Sequence, residues 1–230
     1  MPFRVSGDGF ETFRPGFFGR AGIEGTVYLD ENSDGLRQPL EPTLSDVRIV
    51  APGITDLVTD SGGSFKGWGL PTSNPVAVEI DLLTTDALFT PPKRKTWLAA
   101  HPGELIHLDI PLVPAGGVAG ALTTRVPRSI SPANGITMIL ERAGGATFAL
   151  TQVEWDGSFI LEGIPPGNYV LFGKPEDLAA RGLQTIPDQV RLTFPGGGEP
   201  LWMEGINFQI VRRGEGELPA GRFPGAGDSR

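Results

Sequence analysis

Twelve consecutive residues, Asp30-Glu31-Asn32-Ser33-Asp34-Gly35-Leu36-Arg37-Gln38-Pro39-Leu40-Glu41, carry the donor atoms of a cation site. Acid or amide oxygens stand at positions 1, 3 and 5, glycine at 6 and glutamate at 12, the pattern of a calcium loop. Calcium takes six to eight hard oxygens at roughly 2.3–2.6 Å. Asp30, Asn32 and Asp34 offer side-chain oxygens, and Leu36 offers its backbone carbonyl. Gln38 can act through a water, and Glu41 closes the shell with two oxygens. Gly35 permits the sharp turn that brings the later ligands back.

The elements on either side decide what such a site does. Gly25-Thr26-Val27-Tyr28-Leu29 before it reads as a strand, and Pro39 and Pro42 would break a helix leaving it. A loop between strands is a structural clamp; a sensor needs helices to swing apart. One calcium ion (Ca2+) is expected, in the first half of the chain only, because Thr123 to Gly135, the corresponding stretch of the second half, contains no acid.

Correspondence between the halves rests on spacing. Gly22-Ile23-Glu24-Gly25-Thr26-Val27 is followed by Ser64-Phe65, and Gly117-Val118-Ala119-Gly120-Ala121-Leu122 by Ser158-Phe159, with Leu70-Pro71 and Ile164-Pro165 beyond. Two ordered elements repeated at matched spacing imply two copies of one fold. Apolar residues alternate at period two: Ile106, Leu108, Ile110 and Leu112; Val47, Ile49 and Ala51; Ile136, Met138 and Leu140. A further strand is expected from Phe148 to Val153. Asp156-Gly157 reads as a hairpin turn, with Asp60-Ser61-Gly62-Gly63 doing the same in the first half. The one helix expected is short, Pro175 to Ala180, with proline in its first turn.

Composition agrees with short strands and many turns, since 33 glycines and 22 prolines make up close to a quarter of the 230 residues. A net charge of −8 and no basic cluster beyond Lys93, Arg94 and Lys95 argue against nucleic acid. The absence of cysteine excludes disulfides and thiolate chemistry. No stretch is apolar enough to cross a membrane as a helix, and the N-terminus lacks an apolar signal core. The favoured reading is a piece of a longer exported protein.

Catalysis finds little support. His101 and His107 are the only histidines, no serine sits in a nucleophile elbow, and Gly196-Gly197-Gly198 lacks the ending of a phosphate loop. Trp68, Trp97, Trp155 and Trp202 offer either a sugar-stacking platform or caps on strands and cores.

Gly25-Thr26-Val27-Tyr28-Leu29-Asp30 running into the loop, followed by Asp46-Val47-Arg48-Ile49, resembles the calcium-binding B repeats of serine–aspartate-repeat surface adhesins. Asp156-Gly157-Ser158-Phe159 followed by Ile164-Pro165-Pro166-Gly167-Asn168-Tyr169 is similar to carboxypeptidase regulatory-like and collagen-adhesin B-type domains. Leu108 to Pro114 running into Gly117-Val118-Ala119-Gly120 resembles the junction between tandem domains of bacterial surface and usher-like proteins.

These resemblances imply an all-β chain of two tandem immunoglobulin-like, prealbumin-like β-sandwiches. They place a calcium-binding sandwich at 21–114 and a carboxypeptidase regulatory-like sandwich at 117–212, and the short stretch Pro114-Ala115-Gly116 reads as the linker between the two copies. Residues 1–20, with five phenylalanines, either pack on the first sandwich or end a preceding domain; residues 213–230 read as a disordered tail. The implied role is a non-catalytic structural or adhesive module, extracellular or at the cell surface or outer envelope. Its partners would be other domains of a larger surface protein, or an extracellular protein or glycan ligand; a carbohydrate-binding module is the alternative. The Lys–Asn crosslink common in collagen-adhesin B-type domains is not expected, because Lys66, Lys93, Lys95 and Lys174 all lie off the two first strands.

Overall fold

The computed structural model describes residues 19–124 and 133–213. The expected Phe-rich packing (through Phe18) and the expected tail (from residue 214) lie outside the described residues. The chain is all-β. In order its strands are β1 (Arg20–Leu29), β2 (Ile49–Val50), β3 (Ser64–Pro71), β4 (Val76–Ile80), β5 (Phe89–Thr90), β6 (Thr96–Leu98), β7 (Leu105–His107) and β8 (Ile110–Pro114). Then follow β9 (Gly116–Thr124), β10 (Thr137–Arg142), β11 (Ala146–Gln152), β12 (Ser158–Ile164) and β13 (Gly167–Gly173). A single-turn helix α1 (Pro175–Ala180) precedes β14 (Leu183–Ile186), β15 (Gln189–Phe194) and β16 (Trp202–Arg212). Among the described residues no helix is long and apolar enough to cross a membrane.

Two compact units divide the chain, residues 19–86 with Pro91–Leu112, and Ala87–Thr90 with the described residues from 113 onward. In the first, β1 pairs antiparallel with β3 and parallel with β7 and then β8, while β2, β4 and β6 form a second sheet. Alternation along β1 buries Ile23 and Val27 on one face, where they join Phe65, Leu70, Val78 and Leu112 in the core. In the second unit two four-stranded sheets, β11-β10-β13-β15 and β12-β9-β16-β14, enclose a core that includes Val118, Leu122, Met138, Leu140, Phe159, Tyr169, Leu171 and Phe208.

One device recurs in both units and explains why glycine is required there. Gly25 lies opposite Phe65 and Gly120 opposite Phe159. A Cβ at Gly25 would collide with the Leu108 carbonyl, and one at Gly120 with the Ile206 carbonyl, because the parallel neighbour bulges toward the strand at that point. The ladder is then resumed by a side chain. The Asp109 carboxylate accepts the Thr26 N–H at 2.8 Å, and the Asn207 amide oxygen accepts the Ala121 N–H at 3.1 Å.

Three sequence expectations need correction. The run from Ile106 to Leu112 is not one strand; the bulge at Leu108 and Asp109 splits it into β7 and β8. At Asp156-Gly157 the turn closes as a hairpin would, with Glu154 N–H donating to the Ser158 carbonyl at 2.8 Å and Gly157 N–H to the Glu154 carbonyl at 3.0 Å, but the pairing stops there, since β11 and β12 belong to different sheets and the turn is a corner between them. Its geometry is nonetheless local and tight: Asp156 Oδ1 accepts the Ser158 N–H at 2.9 Å, and Gly157 adopts φ +93°. The run Val47, Ile49 and Ala51 is buried, but only Ile49 lies in a named strand, with single bridges holding Arg48 to Val58 and Ala51 to Ile54. Ala115 is buried and donates its N–H to the Leu88 carbonyl at 2.8 Å.

Candidate metal centre

Both faces of β1 are buried near its end. Val27 faces the core, whereas Thr26, Tyr28 and Asp30 share the opposite face and are covered by the segment that follows them. That segment folds back over its own strand. Leu29 N–H donates to the Pro42 carbonyl at 2.8 Å, Leu44 N–H to Val27 at 2.9 Å, and Tyr28 bridges to Thr43. Asp30 N–H donates to the Leu112 carbonyl at 2.8 Å, fixing the first ligand position to β8. Tyr28 and Asp30 each retain only 1% of their surface.

Asp30 organises the turn. Its Oδ1 accepts the Asp34 N–H at 3.1 Å and its Oδ2 the Gly35 N–H at 2.8 Å. Gly35 sits at φ +77°, a conformation that favours glycine. Asn32 Oδ1 also accepts from Asp34 N–H, at 3.0 Å. Asp34 in turn receives the Leu36 N–H at 2.7 Å, the Asn32 amide at 3.0 Å and the Gln38 amide at 2.7 Å. These donors, led by Leu36 N–H, hold its carboxyl below the usual carboxylate range despite some opposing desolvation. Arg37 reaches back to the Thr26 hydroxyl at 3.1 Å.

Glu41 is half satisfied. Its Oε2 accepts the Gln38 N–H at 2.8 Å, but its Oε1 is buried without a hydrogen-bond partner. An acceptor left in that state costs roughly 1–3 kcal/mol. The field of the surrounding carboxylates is felt by Tyr28, whose phenol is pushed up to about 12, first by burial and then by Asp30, Glu41, Asp109 and Asp34.

The expected ligands Asp30, Asn32, Asp34, Gln38 and Glu41 are therefore linked through one hydrogen-bond network, which Leu36 joins by its N–H. They are not drawn into a closed shell: among the described residues no three Asp, Glu or His side chains gather at metal-binding separation. Backbone and amide N–H groups occupy the oxygens that a cation would take. A half-turn of the Asn32 or Gln38 amide exchanges an N–H for an oxygen. The all-oxygen donor set and the orphaned Glu41 oxygen fit calcium better than a softer metal. Sequence reasoning missed Tyr28 and Asp109. Period-two alternation already places Tyr28 beside Asp30, whereas Asp109 needs the parallel pairing that only the fold supplies.

The other candidates lie outside the ligand loop. His101 pairs with Glu104 at 3.1 Å and His107 with Asp109 at 3.4 Å, both on the surface. Trp68 lies against Gly22 and Trp202 against Gly117, each filling space that a side chain would take. Trp97 and Trp155 are 66% and 70% exposed. In the second unit a groove of about 620 Å3, lined by residues including Val170, Phe172, Leu178, Leu183 and Thr185, opens beside α1.

No family model matches the chain. Colossin-A of Dictyostelium discoideum is 24% identical over an alignment of 173 residues that covers 67% of this chain; the chain spans about 2% of the length of that relative. Among solved structures, the minor pilin GBS52 of Streptococcus agalactiae is 9% identical, with a TM-score of 0.36 over 89% of this chain and 99% of that one. A streptococcal ancillary pilin is 14% identical, with a TM-score of 0.32 over 84% of this chain and 63% of that one. The Bacillus anthracis TIE protein is 12% identical, with a TM-score of 0.32 over 84% of this chain and 34% of that one.

Proposed function

We propose that the chain is a non-catalytic structural or adhesive module of a larger cell-surface or envelope protein, whose first unit is stiffened by one calcium ion at Asp30, Asn32, Asp34, Leu36, Gln38 and Glu41. The observation that carries this reading is the buried, unpartnered Glu41 oxygen inside a loop that covers its own strand. Calcium would satisfy that oxygen and neutralise the carboxylates around Tyr28, fastening residues 31–44 to β1. A clamp of this kind suits an extracellular setting, where calcium is abundant and such modules bind at about 10⁻⁴–10⁻³ M. The partners are other domains of the parent protein or an extracellular ligand.

Thermal melts with calcium and with chelator test the proposal. At a hundredfold excess over the dissociation constant, binding to the folded state alone adds about 2.7 kcal/mol. The midpoint should rise with calcium and not with magnesium at the same ionic strength. Identical midpoints in calcium and chelator would sink the reading.

The exposure of Trp97 and Trp155 supports a second reading, carbohydrate binding. Titration of tryptophan fluorescence with a glycan panel decides it: saturable shifts lost in Trp97→Ala or Trp155→Ala favour it, and a flat response removes it.

A further inference from the structure

We infer that β11 is an association edge, and that a second copy of this chain adds to it by antiparallel strand pairing. A strand bonded on one side only presents a row of free backbone donors and acceptors, and proteins usually blunt such edges with charge, proline or brevity. Among the described residues the other long edges follow that rule. β3 carries Lys66, β12 carries Glu162 and β15 carries Arg191. β14 is uncharged but has only four residues and is followed by Pro187. β11 differs: its seven residues, Ala146-Thr147-Phe148-Ala149-Leu150-Thr151-Gln152, include no charge and no proline.

Its outer face is also exposed at Leu150. Leu150 lies opposite Ile139, which lies opposite Phe172, so three apolar side chains form one row across β11, β10 and β13. Ile139 and Phe172 are half-buried, but Leu150 at the end of the row is 59% exposed. A strand added at the edge would cover it.

The sequence of the edge selects the occupant. Phe148 is bulged, because Leu140 and Glu141 pair with Ala149 and Thr147, so the regular edge is Ala149 to Gln152. Antiparallel pairing about a two-fold axis at Leu150 sets Leu150 of one copy against Leu150 of the other and Ala149 against Thr151. Leucine then meets leucine on the outer face, small residues meet on the inner face, and no charges oppose. The apolar row continues through both copies as one eight-stranded sheet. Such an isologous contact closes on itself as a dimer. It is small beside the roughly 1,200–2,000 Å2 of standard interfaces, so the association is weak.

Sedimentation equilibrium of the full chain tests this, run from about 10 μM to 1 mM as suits a small interface. The apparent mass should climb from 24.4 kDa toward twice that value. Salt should favour it, since two copies of charge −8 repel. Leu150→Lys, on an exposed side chain that the fold does not need, should weaken association at least tenfold, while Leu150→Ile should preserve it. Circular dichroism checks that both variants fold. A monomer throughout the range, or a dimer indifferent to Leu150→Lys, overturns the inference; the first outcome would leave the edge to a strand of another protein.

Discussion

Tyr28 is the residue through which the loop can be read from outside. Its phenol ordinarily titrates near 10 and is held up to about 12 by burial and by the carboxylates facing it. The folded state therefore keeps the proton more tightly than the unfolded chain does. The stability this contributes is complete below pH 10 and is lost as the pH rises through the interval to about 12. Stability across that interval should fall for the native chain and fall less steeply for Tyr28→Phe, the remaining slope coming from Tyr169, whose phenol burial also pushes up. Equal slopes would show that Tyr28 is not where the carboxylates converge. Glu41 provides a second test at this scale. Glu41→Gln retains an oxygen for the Gln38 N–H and removes a charge from the cluster. It should leave calcium-free stability within about 1 kcal/mol of the native chain. It should also reduce calcium affinity at least tenfold, as measured by titration calorimetry.

At the scale of elements, the parallel ladder between the first and last strands of each unit depends on two glycines. Gly120→Ala would place a methyl group against the Ile206 carbonyl, and Gly25→Ala one against Leu108. Each should cost about 2–4 kcal/mol in urea denaturation, as expected for overpacking against a backbone that cannot retreat. Asn207→Ala removes one hydrogen bond and should cost about 1 kcal/mol. A loss of less than about 0.5 kcal/mol for Gly120→Ala would contradict the close crossing. Much of this was legible in advance. Matched spacing singled out Gly25 with Phe65 and Gly120 with Phe159, and the strand readings located β1, β10 and most of β11. The split between β7 and β8 was not legible, because Ile106, Leu108, Ile110 and Leu112 alternate without a break. The bulge faces a pairing partner 83 residues away in sequence, Asp109 against Thr26. For the same reason the corner at Asp156-Gly157 looked like a hairpin: local turn chemistry is the same whether the next strand pairs or changes sheet.

At the scale of the molecule, the loop and the rest of the fold make different claims. The all-β architecture rests on cores that both units bury densely. The six-residue ligand pattern was visible in the sequence, but its surroundings were not, since Asp109 and Leu112 reach the site only through the parallel pairing of β1 with β8. Lys66 pairs with Glu24 at 3.2 Å and Lys95 with Glu79 at 2.9 Å, so these two lysines face carboxylates and not asparagines. An intact mass equal to the calculated value is expected, and one lower by an ammonia would reveal a crosslink. Hydrogen exchange should localise the effect of calcium. Protection should rise at Tyr28, Asp30 and residues 31–44 and stay unchanged in the second unit, and a uniform response along the chain would argue against a local clamp.

We have proposed one calcium ion in the loop from Asp30 to Glu41. Titration calorimetry of the metal-free chain tests it most directly. A single site per chain is expected, with a dissociation constant of about 10⁻⁴–10⁻³ M or tighter, lost in Asp30→Asn and weakened at least tenfold in Glu41→Gln. The absence of saturable heat, or binding that survives both substitutions intact, would contradict it.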